Sequence, residues 1–187
     1  MNSYSTLVDL VTGEVSTALR AVDPASLDAL RAALGSARRV YLVGKGRSGL
    51  LMRAFAIRLM HLGLTVHVVD EPSTPAIGAG DLLVIGSGSG RTASLVGYAE
   101  KASSLGAKVA LITAYPDSPV GQRAGVIVRI PAPSVKAGEA TASGSAQPMA
   151  NLFEQSLMLL LDIVTIQMMH ERGLSEAEMF ARHANLE

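Results

Sequence analysis

Two short stretches hold most of the residues able to do chemistry, "VYLVGKGRSG" at 40–49 and "LLVIGSGSGRT" at 82–92. Each begins as an apolar run suited to a buried strand, breaks into glycine mixed with serine, and leads into a helical pattern. Glycine permits a tight turn and close backbone approach, and small hydroxyls and free amides at a helix N-terminus attract anions. The candidate contacts are Gly46, Arg47 and Ser48 in the first loop and Ser87, Gly88, Ser89, Gly90, Arg91 and Thr92 in the second. Four hydroxyls with several amides suit a terminal phosphomonoester. Hydrogen bonds to a charged group are worth roughly 1.5 to 3 kcal/mol each, so a few of them anchor a sugar phosphate.

The first loop also reads Gly44-x-Gly46-x-x-Gly49, and Asp70 closes the next apolar run 21 residues later. That spacing meets the description of a dinucleotide fingerprint, in which Asp70 would hold a ribose hydroxyl. The second loop argues otherwise, because one pyrophosphate needs one glycine loop and the chain has little room for a substrate domain. In a sheet of strand order 2-1-3-4-5 the two loops flank the switch point on strands about 4.8 Å apart, close enough to grip one small phosphate together.

The elements that must position these loops follow from the periodicity. Residues 1–38 read as a helical arm, with Leu7, Leu10, Val11, Val15, Ala18 and Leu19 at helical spacing, then Asp23 as an N-cap, Pro24 in the first turn and Gly35 as a stop. From 39 to 130 short apolar strands alternate with helices: strands at 40–43, 65–69, 81–85, 108–113 and 126–130, helices at 50–62 and 92–105. Continuously apolar strands separated by helices mark a parallel sheet covered on both faces. The expected fold is therefore α/β, a doubly wound five-stranded parallel sheet between helices. Residues 131–148 form a loop rich in proline, glycine and serine, expected to be functional or at an interface, and 149–187 close the chain with a long helix and a short one from Ser175. The whole of 1–187 reads as one domain.

Composition removes several function classes. Sixteen basic residues balance sixteen acidic ones and aromatics make up only 4%, so the chain offers neither the field nor the stacking surface of a nucleic-acid binder. The absence of cysteine removes thiolate metal sites and thiol nucleophiles, and no two histidines have metal-ligand spacing. The stretch at 157–169 is apolar but too short for the roughly 20 residues that span a bilayer, and Asp162 and Gln167 interrupt it. A buried core or interface helix is expected there, with no membrane partner. The N-terminus lacks a basic start followed by an apolar block, which predicts a cytoplasmic protein.

"VGKGRSG", "GSGSGRT", "QPMANLFEQ" and the final "ARHANLE" together resemble the sugar isomerase (SIS) family, and within it the 6-phospho-3-hexuloisomerase branch of the ribulose monophosphate pathway. The resemblance runs over nearly the whole chain. It implies isomerisation of 3-hexulose 6-phosphate to fructose 6-phosphate through a cis-enediol, without metal or cofactor, by a homotetramer whose sites are shared between subunits. By the resemblance Ser48, Ser87, Ser89 and Thr92 are phosphate ligands, Glu154 is the proton-transfer base and His183 is a second catalytic group reaching a neighbouring subunit's site. Lys45 and Arg91 depart from the family pattern, where alanine and glutamate are usual, and both add positive charge beside the phosphate. The chemistry asks for a partly desolvated carboxylate, and Glu154 stands near the start of an otherwise apolar helix. A first-turn acid that merely complements the helix N-terminus is the plainer reading of the same residue. Another phosphosugar isomerase of the family, or a sugar-phosphate-sensing domain without activity, are the alternatives.

Overall fold

The computed structural model describes residues 3–132 and 145–186. Its centre is a five-stranded parallel sheet of order β2-β1-β3-β4-β5, built from β1 (Val40–Gly44), β2 (Val66–Val68), β3 (Leu82–Gly86), β4 (Lys108–Thr113) and β5 (Val126–Arg129). Val40 lies level with Val66 on one side and Leu82 on the other, so β1 and β3 end together at Gly44 and Gly86. Among the described residues the sheet is accompanied by six α-helices, α1 (Tyr4–Arg20), α2 (Pro24–Ser36), α3 (Gly46–His61), α4 (Ala93–Ser104), α5 (Asn151–Glu171) and α6 (Glu176–Phe180), and a 3-10 turn at Gly121–Arg123.

Alternation along each strand divides the core in two. Val40, Leu42, Leu82, Val84, Ala110 and Ile112 point to one face, where α2, α3 and α5 cover them with Leu30, Leu34, Phe55, Leu59, Leu157 and Leu161. Tyr41, Val43, Leu83, Ile85, Val109 and Leu111 point to the other, packed against Leu95, Ala99 and Ala102 of α4. Two-sided burial is why these strands read as unbroken apolar runs. The expected doubly wound α/β fold is the observed one. Asp23 caps α2 by accepting from Ala25 N–H (3.1 Å) with Pro24 in the first turn, but α2 continues through Gly35 to Ser36. Nothing within 4 Å of Gly35 demands glycine, so the helix tolerates it.

The apolar stretch at 157–169 belongs to α5, whose 21 residues are long and apolar enough to cross a bilayer, yet half of its most apolar window is buried inside the protein. Phe153, Leu157, Leu160, Leu161, Val164 and Met168 form the inner face, while Leu159, Ile163 and Ile166 remain exposed on the outer one. Of the long loop at 131–148, residues 133–144 lie outside the described residues.

Candidate active site

The C-terminal ends of β1 and β3 open into the two glycine loops, which run directly into α3 and α4. Close packing dictates the first glycines. A Cβ on Gly44 would lie 2.9 Å from both Gly49 N and Gly86 O, and one on Gly49 would lie 2.7 Å from Gly44 O, so the start of α3 rests on the end of β1 backbone against backbone. In the second loop Gly90 has φ +61°, in the left-handed region, and a Cβ there would overlap Ser118.

Between the loops lies a cavity of about 80 Å³, lined by Gly46, Arg47 and Ser48 from the first loop, Ser87, Gly88, Ser89 and Thr92 from the second, and Phe153 and Glu154 from α5. The hydroxyls are arranged to donate. Ser87 Oγ accepts from Gly90 N–H (3.1 Å) and Ser89 Oγ from Arg91 N–H (3.3 Å), which engages each oxygen as an acceptor and leaves its proton for another partner. Thr92 is the N-cap residue of α4, but its side chain makes no capping bond.

The helix ends make the stronger statement. Helices α1, α2 and α6 are capped by Ser3, Asp23 and Ser175, whose side chains accept from the first-turn amides. Helices α3, α4 and α5 have no side-chain cap, and these are the three whose N-terminal residues line the cavity. The first amides of a helix need an acceptor, and the macrodipole favours a negative one. Three uncapped N-termini converging with four hydroxyls form a cradle for a small anion.

Glu154 stands on the wall of this cradle. It lies in the first turn of α5, buried at 9% exposure, with its N–H donating to Ala150 O (3.0 Å). Arg47 Nη1 lies 3.0 Å from Glu154 Oε2 and also donates to Asn151 Oδ1, so the guanidinium ties the start of α3 to the start of α5. Arg47 and Glu154 also line a second, larger cleft of about 660 Å³ beside the cradle, whose walls are Val11, Val15 and Leu19 of α1, Leu51 of α3 and Met158 and Leu159 of α5. The small cavity fits one anionic group; the cleft beyond it has the size of a small-molecule site.

Of the residues singled out in the sequence, Gly46, Arg47, Ser48, Ser87, Gly88, Ser89, Thr92 and Glu154 meet at the cradle. Gly90 and Arg91 do not line it: Gly90 serves the packing against Ser118, and Arg91 is exposed. His183 is remote from it within the chain. Its ring stacks on His61 (centroids 5.2 Å apart) at the far end of α3, about 21 Å from Arg47 at 1.5 Å per residue.

Lys45 lines the cradle, but its ammonium is engaged by Asp70 (Nζ to Oδ2, 2.5 Å). Tyr98 donates to the other oxygen of the same carboxylate (2.6 Å). These hydrogen bonds hold the Asp70 carboxyl below its ordinary pKa and, in turn, raise those of Lys45 and Tyr98. The expected extra positive charge at Lys45 is thus largely neutralised, and the acid that a ribose would need is occupied, which removes the dinucleotide reading. Sequence reasoning missed Asn151, which holds Arg47, and Phe153, whose ring packs against Gly88. Both sit inside "QPMANLFEQ", so the signal was there without its geometry.

Residues 33–160 match the SIS domain family. A 3-hexulose-6-phosphate isomerase from Bacillus subtilis (strain 168) is 45% identical over 152 residues, covering 81% of this chain and 82% of its own. One from Mycobacterium gastri is 42% identical over 183 residues, covering 96% and 89%. Among solved structures, a protein from Methanococcus jannaschii, for which a molecular function of 3-hexulose-6-phosphate isomerase was inferred, superposes with a TM-score of 0.83 at 32% identity, covering 97% of this chain and 99% of that one. With the family match spanning the sheet, both glycine loops and the first half of α5, the chain belongs to the SIS domain family.

Proposed function

We propose that this protein is a 3-hexulose-6-phosphate isomerase, which moves the carbonyl from C3 to C2 and yields fructose 6-phosphate. The observation that carries the reading is the convergence of three uncapped helix N-termini, four hydroxyls and one buried carboxylate on a single small cavity. Relatives of that name at 42–45% identity supply the substrate.

The phosphate dianion takes the cradle, accepting from Ser48, Ser87, Ser89, Thr92 and the first amides of α3 and α4. The sugar then extends past Glu154 toward the larger cleft. Glu154 removes the proton from C2, giving a cis-enediolate; the hydroxyl proton passes from O2 to O3 to complete the cis-enediol exchange, and Glu154 returns its proton to C3 as the carbonyl forms at C2. Arg47 steers the carboxylate through its 3.0 Å contact and adds positive charge beside the enediolate as it forms. Because phosphate binding is shared by ground and transition states, the cradle governs affinity, while Glu154 governs turnover.

His183 acts, in this reading, in the site of a neighbouring subunit of a homotetramer, since it cannot reach the cradle of its own chain. The exposed row of Leu159, Ile163 and Ile166 on α5 supports such an assembly. The chain works as one cytoplasmic domain, with no metal or cofactor in the step. The test is turnover of 3-hexulose 6-phosphate in deuterium oxide. Wild-type protein should place deuterium at C3 of the product, and Glu154→Gln should turn over about 100-fold more slowly or worse while binding substrate. Full turnover by that variant would remove Glu154 from the mechanism.

A further inference from the structure

We propose that Glu14, on the N-terminal helix, is a positioning residue for the reaction: it fixes the turn that delivers Glu154 to the cradle. The inference rests on Glu154 being the proton-transfer group.

The carboxylate of Glu14 accepts three hydrogen bonds from consecutive residues: Ser145 Oγ–H (2.6 Å), Ala146 N–H (2.8 Å) and Gln147 Nε2–H (3.0 Å). Ser145 Oγ in turn accepts from Gln147 N–H (3.0 Å), and Gln147 is buried at 7% exposure. These residues stand 131 to 133 positions away in sequence and immediately before α5. The turn then passes through Pro148, whose carbonyl accepts from Asn151 N–H (3.2 Å), and Met149. Met149 has φ +61°, one of two non-glycine residues among those described in the left-handed region.

A side chain in that region is strained and persists only where its surroundings over-determine it. Here the downstream constraint is α5 itself, packed into the core through Phe153 and Leu157. The upstream constraint is Glu14. Between these two clamps lie the five residues that set where Ala150, Asn151 and Glu154 stand relative to Arg47. The hydrogen bonds, with that from Ser145 foremost, also hold the Glu14 carboxyl below its usual pKa, so it remains an acceptor through the neutral range. The arm thus does more than cover α5: it carries an acid that reaches the catalytic turn from the other end of the chain.

The experiment compares wild type, Glu14→Gln, Glu14→Gln/Met149→Gly and Glu154→Gln by steady-state kinetics and by amide hydrogen exchange. Glutamine keeps one acceptor oxygen where three donors converge. Glu14→Gln should lower kcat about 10- to 100-fold, as a misplacement near 1 Å does, with KM within threefold of wild type. Exchange should quicken at residues 149–154 and stay unchanged at 46–49 and 87–92. Met149→Gly, for which φ +61° is without cost, should restore part of the lost kcat in the double variant. A Glu14→Gln kcat within twofold of wild type, a uniform rise in exchange across the chain, or no recovery in the double variant overturns the role. If Glu154→Gln is inactive and Glu14→Gln is silent, only Glu14 falls; full activity of Glu154→Gln sinks the base and, with it, this role.

Discussion

Ser87 and Ser89 stand two residues apart in one loop, yet their removal should have separable effects. Ser89 is half-buried and, among the described residues, its oxygen accepts only from the exposed Arg91 N–H (3.3 Å). Ser89→Ala therefore deletes one donor to the phosphate and little else. A hydrogen bond to a charged partner is worth about 1.5–3 kcal/mol, which is a KM roughly 10- to 150-fold higher with kcat nearly unchanged. Ser87 is buried, and its oxygen is the acceptor for the N–H of buried Gly90 (3.1 Å). Ser87→Ala should raise KM by a similar factor and also strand that N–H, at a further cost of about 1–3 kcal/mol of stability. For a chain of this size that corresponds to a melting temperature lower by roughly 3–10 °C. Two measurements check the pair: fructose 6-phosphate formation across substrate concentrations, and melting with and without inorganic phosphate. Phosphate at 100 times its dissociation constant should stabilise wild type by about 2.7 kcal/mol, and both variants by less at the same concentration. If Ser89→Ala keeps a wild-type KM and full protection by phosphate, the anion does not sit between the loops and the mechanism built on it fails.

Gly90→Ala should be among the most damaging single changes in the loop: it places a side chain at φ +61° and drives it into Ser118, which is fully buried and accepts from Gly121 N–H (3.2 Å). A loss of several kcal/mol is expected, visible as a sharp fall in melting temperature or in soluble yield, whereas a wild-type melt would show that the loop relaxes freely. At the opposite end of the sheet Asp81, with no exposed side-chain surface, accepts from Arg39 Nη2 (2.7 Å), Arg38 Nε (3.1 Å) and Gly78 N–H (2.9 Å), which depress its pKa well below the ordinary carboxylate value, Arg39 most of all. A depressed folded pKa stabilises fully above the unfolded value of about 3.9 and is lost as the pH falls through the lower folded one. Asp81→Asn should cost about 3 kcal/mol near neutral pH, and its deficit should shrink in urea melts taken at successively lower pH below about 4; a constant deficit would mean that the charge of Asp81 is not what stabilises the fold.

The three central strands β1, β3 and β4 were legible because each is buried on both faces and so needs an unbroken apolar run, while the half-buried edge strands β2 and β5 were legible as shorter apolar runs. Which residues share a loop was equally plain, since both loops are contiguous in sequence. What each residue does inside its loop was less so. Gly90 looked like part of the anion site because it sits between Ser89 and Arg91, but the atom that demands glycine belongs to Ser118, 28 residues on. Lys45 looked like a free cation because sequence does not show that Asp70, at the end of the neighbouring strand, comes within 2.5 Å of it. His183 could be matched by type and not by place, for the reach of a C-terminal segment is set by how α6 folds back on α3. Glu14 gave no signal at all. An acid on a solvent-facing helix is ordinary until its three donors arrive from the far end of the chain.

The dinucleotide-like spacing shows why a glycine motif reports packing before it reports a ligand. The first and third glycines of Gly44-x-Gly46-x-x-Gly49 are required because a Cβ on either would collide with the backbone of the other, and Gly44 meets Gly86 O as well. Any helix that starts hard against the end of its own strand imposes the same demand, whatever it binds. An acid some twenty residues later is equally uninformative, since it falls where the next strand ends and a polar residue must meet water; here it holds Lys45 and Tyr98. The discriminating information lies on the adjacent strand. Gly86 pairs level with Gly44, so the second loop starts beside the first and brings Ser87 and Ser89 to the same cavity, and its missing Cβ, which would stand 2.6 Å from the Met52 sulfur, admits that side chain against the end of β3. A pyrophosphate bridges outward from one helix N-terminus toward a second nucleotide half. Here the space in front of α3 is walled instead by α4 and α5, so it accepts the end of a ligand and not its middle, and the first group met beyond that end is the carboxylate of Glu154.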